Sequence, residues 1–388
     1  MTQSNWDYPT KVRAGIGCIK ELPDICHKSG IRHPLLITDS GISGTDMVKN
    51  ILKDCQEKLG QFGLFDNVKS NPTGENVAHG LEIYHSGLHD GVIALGGGSV
   101  LDAAKAVALM SGQQHPLWTF EDIKGRADCV NVAGIAPLIA IPTTAGTGSE
   151  VGRAAVITDS SVPVKRTIFH PAMMPRVAIL DGELTAGMSP QLTAATGADA
   201  LTHCLESWCS PVYHPMSEAV AVKGIQMIKA NLLRAFKNGQ DLEARQEMLV
   251  ASALGAVSFQ RGLGGVHAIA QSLGALYDGH HGLLNAIILP YVLKANRATI
   301  DAAMDYLARM LELRRPGFEG VMEWILELRQ SLDIPHTLAE VGIDDHQATL
   351  VGEMAFADGC SLTNPVRHSA QDYSKIFCQA VKGELRWL

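Results

Sequence analysis

A parallel α/β domain followed by an all-helical domain is the fold this sequence predicts, and three observations carry it. Short apolar runs alternate with helix-length amphipathic segments through the first half of the chain. Two of those runs end in loops rich in glycine and hydroxyl side chains. From about Gly182 onward the strand-like runs stop, and long segments of helical periodicity take their place. The expected division is an α/β nucleotide-binding domain over 1–185 and an all-helical domain over 186–388, with the join near 182–190.

The 388 residues are 46% hydrophobic, enough for two domains, each with its own core. Lys and Arg number 32 against 40 Asp and Glu, a net charge of −8, and no basic stripe is present; nucleic acid is therefore an unexpected partner. The start, MTQSNWDYPTKVRAGIG, has no apolar signal-peptide core, and no long uncharged apolar run suggests a membrane span. Eight scattered cysteines without CxxC spacing read as reduced, buried thiols of a cytoplasmic protein.

In chain order, 34–40 (PLLITDS) reads as a buried strand, followed by a helix over 46–59. A second strand is expected over 62–68 and a helix over 75–89. GVIALGGGS (91–99) is a strand entering a glycine loop, which LDAAKAVALM continues as a helix; LIAIPTT (138–144) is another strand, entering AGTGSE. In the second half, helices are expected over 190–209, 216–236, 242–259, 298–313, 318–331 and 370–381. Between these, a helix carrying His267 leads through a Tyr-Asp-Gly turn to the pair His280–His281 and a second apolar run.

Gly97, Gly98 and Ser99 follow a strand and open a helix, where free N–H groups and the helix dipole suit a phosphate. A tight structural turn explains the same residues about as well, since G-x-G-x-x-G is absent. Asp39, ending an earlier strand, suits a ribose hydroxyl; a strand-ending turn Asp is the plain alternative. The second loop offers Thr143, Thr144 and Thr147. Two such loops after parallel strands fit a dinucleotide.

Asp199 and His203, four apart, share a helix face. With His267 and one of the pair His280–His281 they make one carboxylate and three imidazoles, a donor set for divalent Fe or Zn. A single buried histidine is more often a hydrogen-bonded core residue; four candidate donors in apolar helices favour a metal.

GGGSVLDAAKA, IPTTAGTGSE, GADALTHCLE and the two-histidine stretch ending in HGLLNAIILP together resemble the iron-containing (group III) alcohol dehydrogenase family over most of the chain. The resemblance implies the dehydroquinate synthase-like fold, with an active site in the cleft between a nucleotide-binding and a helical domain. It implies Asp199, His203, His267 and His281 as metal ligands, Fe2+ with Zn2+ possible, and NAD as cofactor. It places the pyrophosphate at Gly97, Gly98 and Ser99, the adenosine ribose at Asp39, and cofactor contacts at Asn71, Thr143, Thr144, Thr147, Lys165, Leu184 and Met188. The implied reaction is hydride transfer between NAD(H) and a small primary alcohol or hydroxy acid in a homodimer or larger homo-oligomer. A zinc polyol dehydrogenase like glycerol dehydrogenase, and a lyase like dehydroquinate synthase, are the alternatives.

Two departures from the family pattern stand out. Gln271 occupies a position that is often a second histidine, so it can orient a water or substrate but not titrate; His280 is the nearest titratable candidate for a proton route. Arg261 stands where the family often has a small neutral residue; an exposed arginine at a helix start is the plainer reading, and a clamp for a substrate carboxylate is the alternative.

Overall fold

The computed structural model of the protein describes residues 10–385 apart from 61, 123, 124 and 163. Among these the chain divides into two compact units, one running to Gly187 and the other beginning at Met188.

The first unit contains β1 (Lys11–Ala14), α1 (Leu22–Lys28), β2 (Pro34–Ile37), α2 (Asp46–Leu59), β3 (Gly63–Phe65), α3 (Gly74–Ser86), β4 (Gly91–Gly96) and α4 (Gly98–Met110). It continues with β5 (Leu138–Pro142), β6 (Ala154–Asp159), β7 (Val164–Phe169) and β8 (Val177–Leu180). Six strands form one sheet in the order β1-β8-β5-β4-β2-β3, and every neighbouring pair is parallel. Strand alternation explains why both faces need cover. Leu35, Ile37, Val92 and Ala94 pack on one side with α3 and α4, whereas Leu36, Ile93, Leu95, Ile139 and Ile141 pack on the other with α1 and α2. The Thr45 hydroxyl caps α2, and Thr73 with Asn76 forms a capping box at α3, which fixes where those helices begin.

Strand order reverses direction between β2 and β4. After β2 the chain steps outward to β3, then returns to place β4, β5 and β8 on β2's other side. In open parallel sheets such a switch leaves a crevice at the carboxyl ends of the two strands. Here those ends carry Asp39 and the Gly97–Ser99 loop.

The second unit holds α5 (Pro190–Cys209), α6 (Pro215–Lys237), α7 (Leu242–Ser258), α8 (Gly265–Tyr277), α9 (His281–Met310), α10 (Gly317–Ser331), α11 (Ala348–Ala357) and α12 (Ala370–Lys382), with no strand among its described residues. Helix α5 is its axis: every residue from Thr193 to Ser207 is buried. It starts sharply because Pro190 needs no backbone donor and the Ser189 hydroxyl accepts from the N–H of Leu192.

Several expectations are corrected. Strands β1, β6, β7 and β8 and helices α1 and α11 are additional, and β6 pairs antiparallel with β7 outside the main sheet. The segment expected to begin a new helix at 298 is the second half of α9, which runs unbroken through Pro290 because its apolar residues on both sides of the proline are buried. The cysteines are free, but Cys129 is exposed and Cys360 and Cys378 are only partly covered. No described helix is long and apolar enough to cross a membrane.

Candidate active site

Three helices bring the expected donors together. Asp199 and His203 lie one turn apart on α5, His267 lies near the start of α8, and His281 is the first residue of α9. Asp199 Oδ1 is the common point: it lies 3.6 Å from His203 Nε2, 3.9 Å from His267 Nε2 and 3.8 Å from His281 Nε2. Asp199, His203 and His267 are buried and offer donor atoms within 4.8 Å of one another; His281 is partly open to solvent. The rings of His203 and His267 stack with centroids 4.6 Å apart. Close helix approach makes this possible: a Cβ on Gly282 would collide with the carbonyl oxygen of Ala195, so glycine beside His281 lets α9 begin against α5.

The donor chemistry fits a divalent ion. A tetrahedron with bonds of about 2.1 Å has edges of roughly 3.4 Å, so these separations need only a small contraction. Support comes from behind His267. The buried Glu206 carboxylate accepts from His267 Nδ1 at 2.5 Å and from the N–H of Val266 at 2.7 Å. That hydrogen bond puts the proton on Nδ1 and turns the Nε2 lone pair toward Asp199. Burial opposes a charge on His267, but Glu206 and Asp199 outweigh it and the imidazole pKa is raised.

Glu206 was not foreseen as a site residue. Its signal was present in GADALTHCLE: a carboxylate three residues after His203, on a helix with almost no other charge. Asn285, one turn after His281, also went unread, although Nδ2 donates to Asp199 Oδ1 at 2.7 Å.

The other expected residues have different fates. Gln271 shares the His267 face of α8, and Nε2 donates to Cys360 Sγ at 3.5 Å. His280 is exposed and caps α9, accepting on Nδ1 from the N–H of Leu283 at 3.4 Å. After Glu206 and Asp199, Asp358 also acts electrostatically on His267, and its own carboxyl is raised by burial. Arg261 is no substrate clamp. Its guanidinium donates to the carbonyls of Val212, Ser207 and Trp208 and pairs with Glu218 at 2.9 Å, so the charge is spent on the end of α5.

In the α/β unit the two loops meet. A Cβ on Gly98 would strike the Thr147 side chain, and the Thr143 N–H donates to the Gly96 carbonyl at 3.0 Å. Thr144 lies alongside Gly97. Ser99 Oγ donates to the Ser70 carbonyl, and Lys165 Nζ donates to Asn71 Oδ1 at 2.8 Å, which joins those two predicted contact residues. Asp39 Oδ1 accepts from the Gly41 N–H at 2.8 Å, the strand-ending turn, which engages one of its two oxygens. Leu184 is buried in the core, and Met188 begins the helical unit, where its carbonyl accepts from Arg245.

Behind these loops lies a buried polar network that the motifs contained unread. Ser149 Oγ donates to Asp102 Oδ1 at 2.5 Å and accepts from Lys105 Nζ at 2.6 Å, while Lys105 also reaches the Ala154 carbonyl. Glu150, next in the chain, is buried with Oε1 lacking a hydrogen-bond partner, and burial pushes its pKa from 4.5 up to about 7. Between those values the folded chain holds a proton that the unfolded chain has lost, so stability falls as pH rises. Glu150→Gln is expected to equal wild type near pH 4 and to exceed it at pH 8 by up to about 3 kcal/mol in urea melts. A variant less stable than wild type at pH 8 would contradict this.

Comparison with known proteins decides what these features belong to. Residues 9–182 match the iron-containing alcohol dehydrogenase profile, and residues 193–381 match its C-terminal counterpart. The chain belongs to the iron-containing alcohol dehydrogenase family. It is 36% identical over 384 residues to a 4-hydroxybutyrate dehydrogenase of Cupriavidus necator, covering 96% of this chain and 99% of that one. It is 30% identical over 385 residues to an NAD-dependent methanol dehydrogenase of Bacillus methanolicus, covering 97% and 100%. The crystal structure of a 1,3-propanediol oxidoreductase superposes with a TM-score of 0.91 at 31% identity, covering 98% and 100%. As an iron-containing alcohol dehydrogenase the chain is a metal-dependent oxidoreductase, and its two units are the parallel α/β and helical domains of that family.

Proposed function

We propose that the chain oxidises a small primary alcohol or ω-hydroxy acid, or reduces the matching aldehyde, with Asp199, His203, His267 and His281 holding one divalent cation. The observation that carries this reading is the convergence of three imidazoles on Asp199 Oδ1, with Glu206 behind His267. When bound, the cation supplies Lewis acidity that makes an alcohol hydroxyl acidic and polarises a carbonyl, and NAD supplies the hydride acceptor. The protein's part is positioning. Glu206 keeps His267 in one tautomer, and Gln271 presents an amide that can orient a hydroxyl or water without titrating. Asp358, partly buried with its carboxyl raised by burial, is a candidate to hold a proton in the neighbourhood of His267, ahead of His280, which caps a helix at the surface.

For the cofactor, the switch between β2 and β4 and the contact between the two glycine-threonine loops support pyrophosphate at Gly97–Ser99 and ribose at Asp39. Asp39 favours NAD by accepting from a ribose 2′-hydroxyl and repelling a 2′-phosphate. Wild type is expected to prefer NAD over NADP, and Asp39→Gly should narrow the ratio of kcat/KM values by about ten-fold or more. Equal use of both cofactors by wild type would remove Asp39 from the ribose.

A hydroxy-acid substrate draws support from the 4-hydroxybutyrate dehydrogenase relative, not from Arg261. The test is NADH formation on a panel that pairs 4-hydroxybutyrate with 1-butanol and 1,3-propanediol, on protein loaded anaerobically with Fe2+ beside a Zn2+-loaded sample. Both metals belong in the test because zinc binds nitrogen and oxygen sites more tightly when both ions are available. Absence of NADH formation on every alcohol, and of aldehyde reduction, would overturn the proposal. Eight free thiols favour a cytoplasmic location. β1, the outer strand of the sheet with all four residues exposed, favours a homo-oligomer through edge pairing, measurable by light scattering.

A further inference from the structure

Asp199 Oδ1 and its neighbours share a partner that the ligand set does not explain. Asn285 is fully buried one turn after His281 on α9. Its Nδ2 donates to Asp199 Oδ1 at 2.7 Å and lies 3.2 Å from Nε2 of His267 and 3.1 Å from Nε2 of His281. An amide nitrogen carries two hydrogens, so three acceptors compete for two donors. The opposite end of the amide, Oδ1, is buried without a hydrogen-bond partner. Turning the amide over would press that oxygen against three acceptors, so the N–H end is held inward by electrostatics despite the unsatisfied oxygen. What the three acceptors have in common is a demand for positive charge, and the amide meets part of it.

We infer that Asn285 is a positioning residue that gathers Asp199, His267 and His281 at ligand spacing and competes with the cation for their lone pairs. Each Nε2 has one lone pair, which either accepts from Asn285 or binds a metal, not both. Asn285 thereby holds the site ready while lowering its affinity, a setting that favours an exchangeable ion over a permanently trapped one. The inference rests on the proposed metal site, and the two can fail separately.

The experiment uses the full chain, stripped by chelation and titrated with Co2+ or Zn2+ against a chromophoric competitor. Asn285→Ala is expected to tighten the cation Kd by about ten-fold, the worth of the hydrogen bonds that no longer compete. The melting temperature of the stripped protein should fall more than that of the loaded protein. Asn285→Ser, which keeps one small donor, should shift the Kd in the same direction by less, and it decides the matter if the alanine variant does not fold. Unchanged or weaker binding in the folded variants would overturn the inference, because simple loss of packing cannot tighten a site. If wild type binds no cation more tightly than His267→Ala does, the metal site itself fails instead.

Discussion

His267→Ala is expected to lower kcat/KM for alcohol oxidation by about 10³-fold or more while changing the affinity for NAD by less than about two-fold. The reason is local. His267 is one of three imidazoles around Asp199 Oδ1, it is buried, and with Asp199 and His203 it offers donor atoms that all lie within 4.8 Å of one another. Removing the ring leaves a cavity and an incomplete donor set, and the rate supplied by Lewis acidity goes with it. The residues assigned to NAD, by contrast, are almost all in the α/β unit. Steady-state kinetics beside calorimetric NAD binding separates the two effects; full activity in the variant, with one equivalent of metal retained, would contradict the ligand assignment.

Glu206→Gln is expected to weaken cation binding by about 10–100-fold with little change in the fold. The carboxylate accepts from both His267 Nδ1 and the Val266 N–H. Glutamine matches its shape but brings an NH2 group. Aimed at Nδ1, that group is a donor, and it favours the tautomer whose proton sits on Nε2, where the lone pair is needed. Rescue of kcat at high metal concentration would identify the effect as affinity. A loss of kcat that saturating metal does not restore would assign Glu206 a different role.

These expectations depend on residues of unequal visibility in the sequence. Asp199, His203 and His267 stood out because polar residues at helical spacing inside apolar helices have few structural excuses, whereas the choice of His281 over His280 came from the family resemblance alone. Helix α5 was legible for the same reason, and its boundaries follow from Ser189 and Pro190. Glu206 was overlooked: three residues after His203 it shares that histidine's side of the helix, and only the fold brings its buried carboxylate to Nδ1 of His267. Asn285 was hidden by its distance in sequence from Asp199, which it meets because Gly282 lets α9 start against α5.

The missed strands have their own causes. β1 is four residues long and exposed at a sheet edge, and the alternation of Val12 and Ala14 with Lys11 and Arg13 is too short to stand out. β6 does alternate between buried and partly buried positions, but Val156 and Ile157 are its only large apolar residues, flanked by two alanines and by Thr158 and Asp159. The β2–β4 switch, which places Asp39 beside the glycine loop, is a property of strand order that periodicity does not carry. Arg261 fits neither of its two readings, exposed arginine or substrate clamp, because its guanidinium is taken up by carbonyls at the end of α5, which are visible only in the fold.

The claim that these four side chains form one metal centre is tested most directly by anomalous diffraction from crystals of the Fe2+- or Zn2+-loaded protein, measured on either side of the metal's absorption edge. The account predicts one strong peak per chain, bonded to a carboxylate oxygen of Asp199 and to Nε2 of His203, His267 and His281. A peak held by other residues, or none in protein that turns over alcohol with NAD, would contradict it.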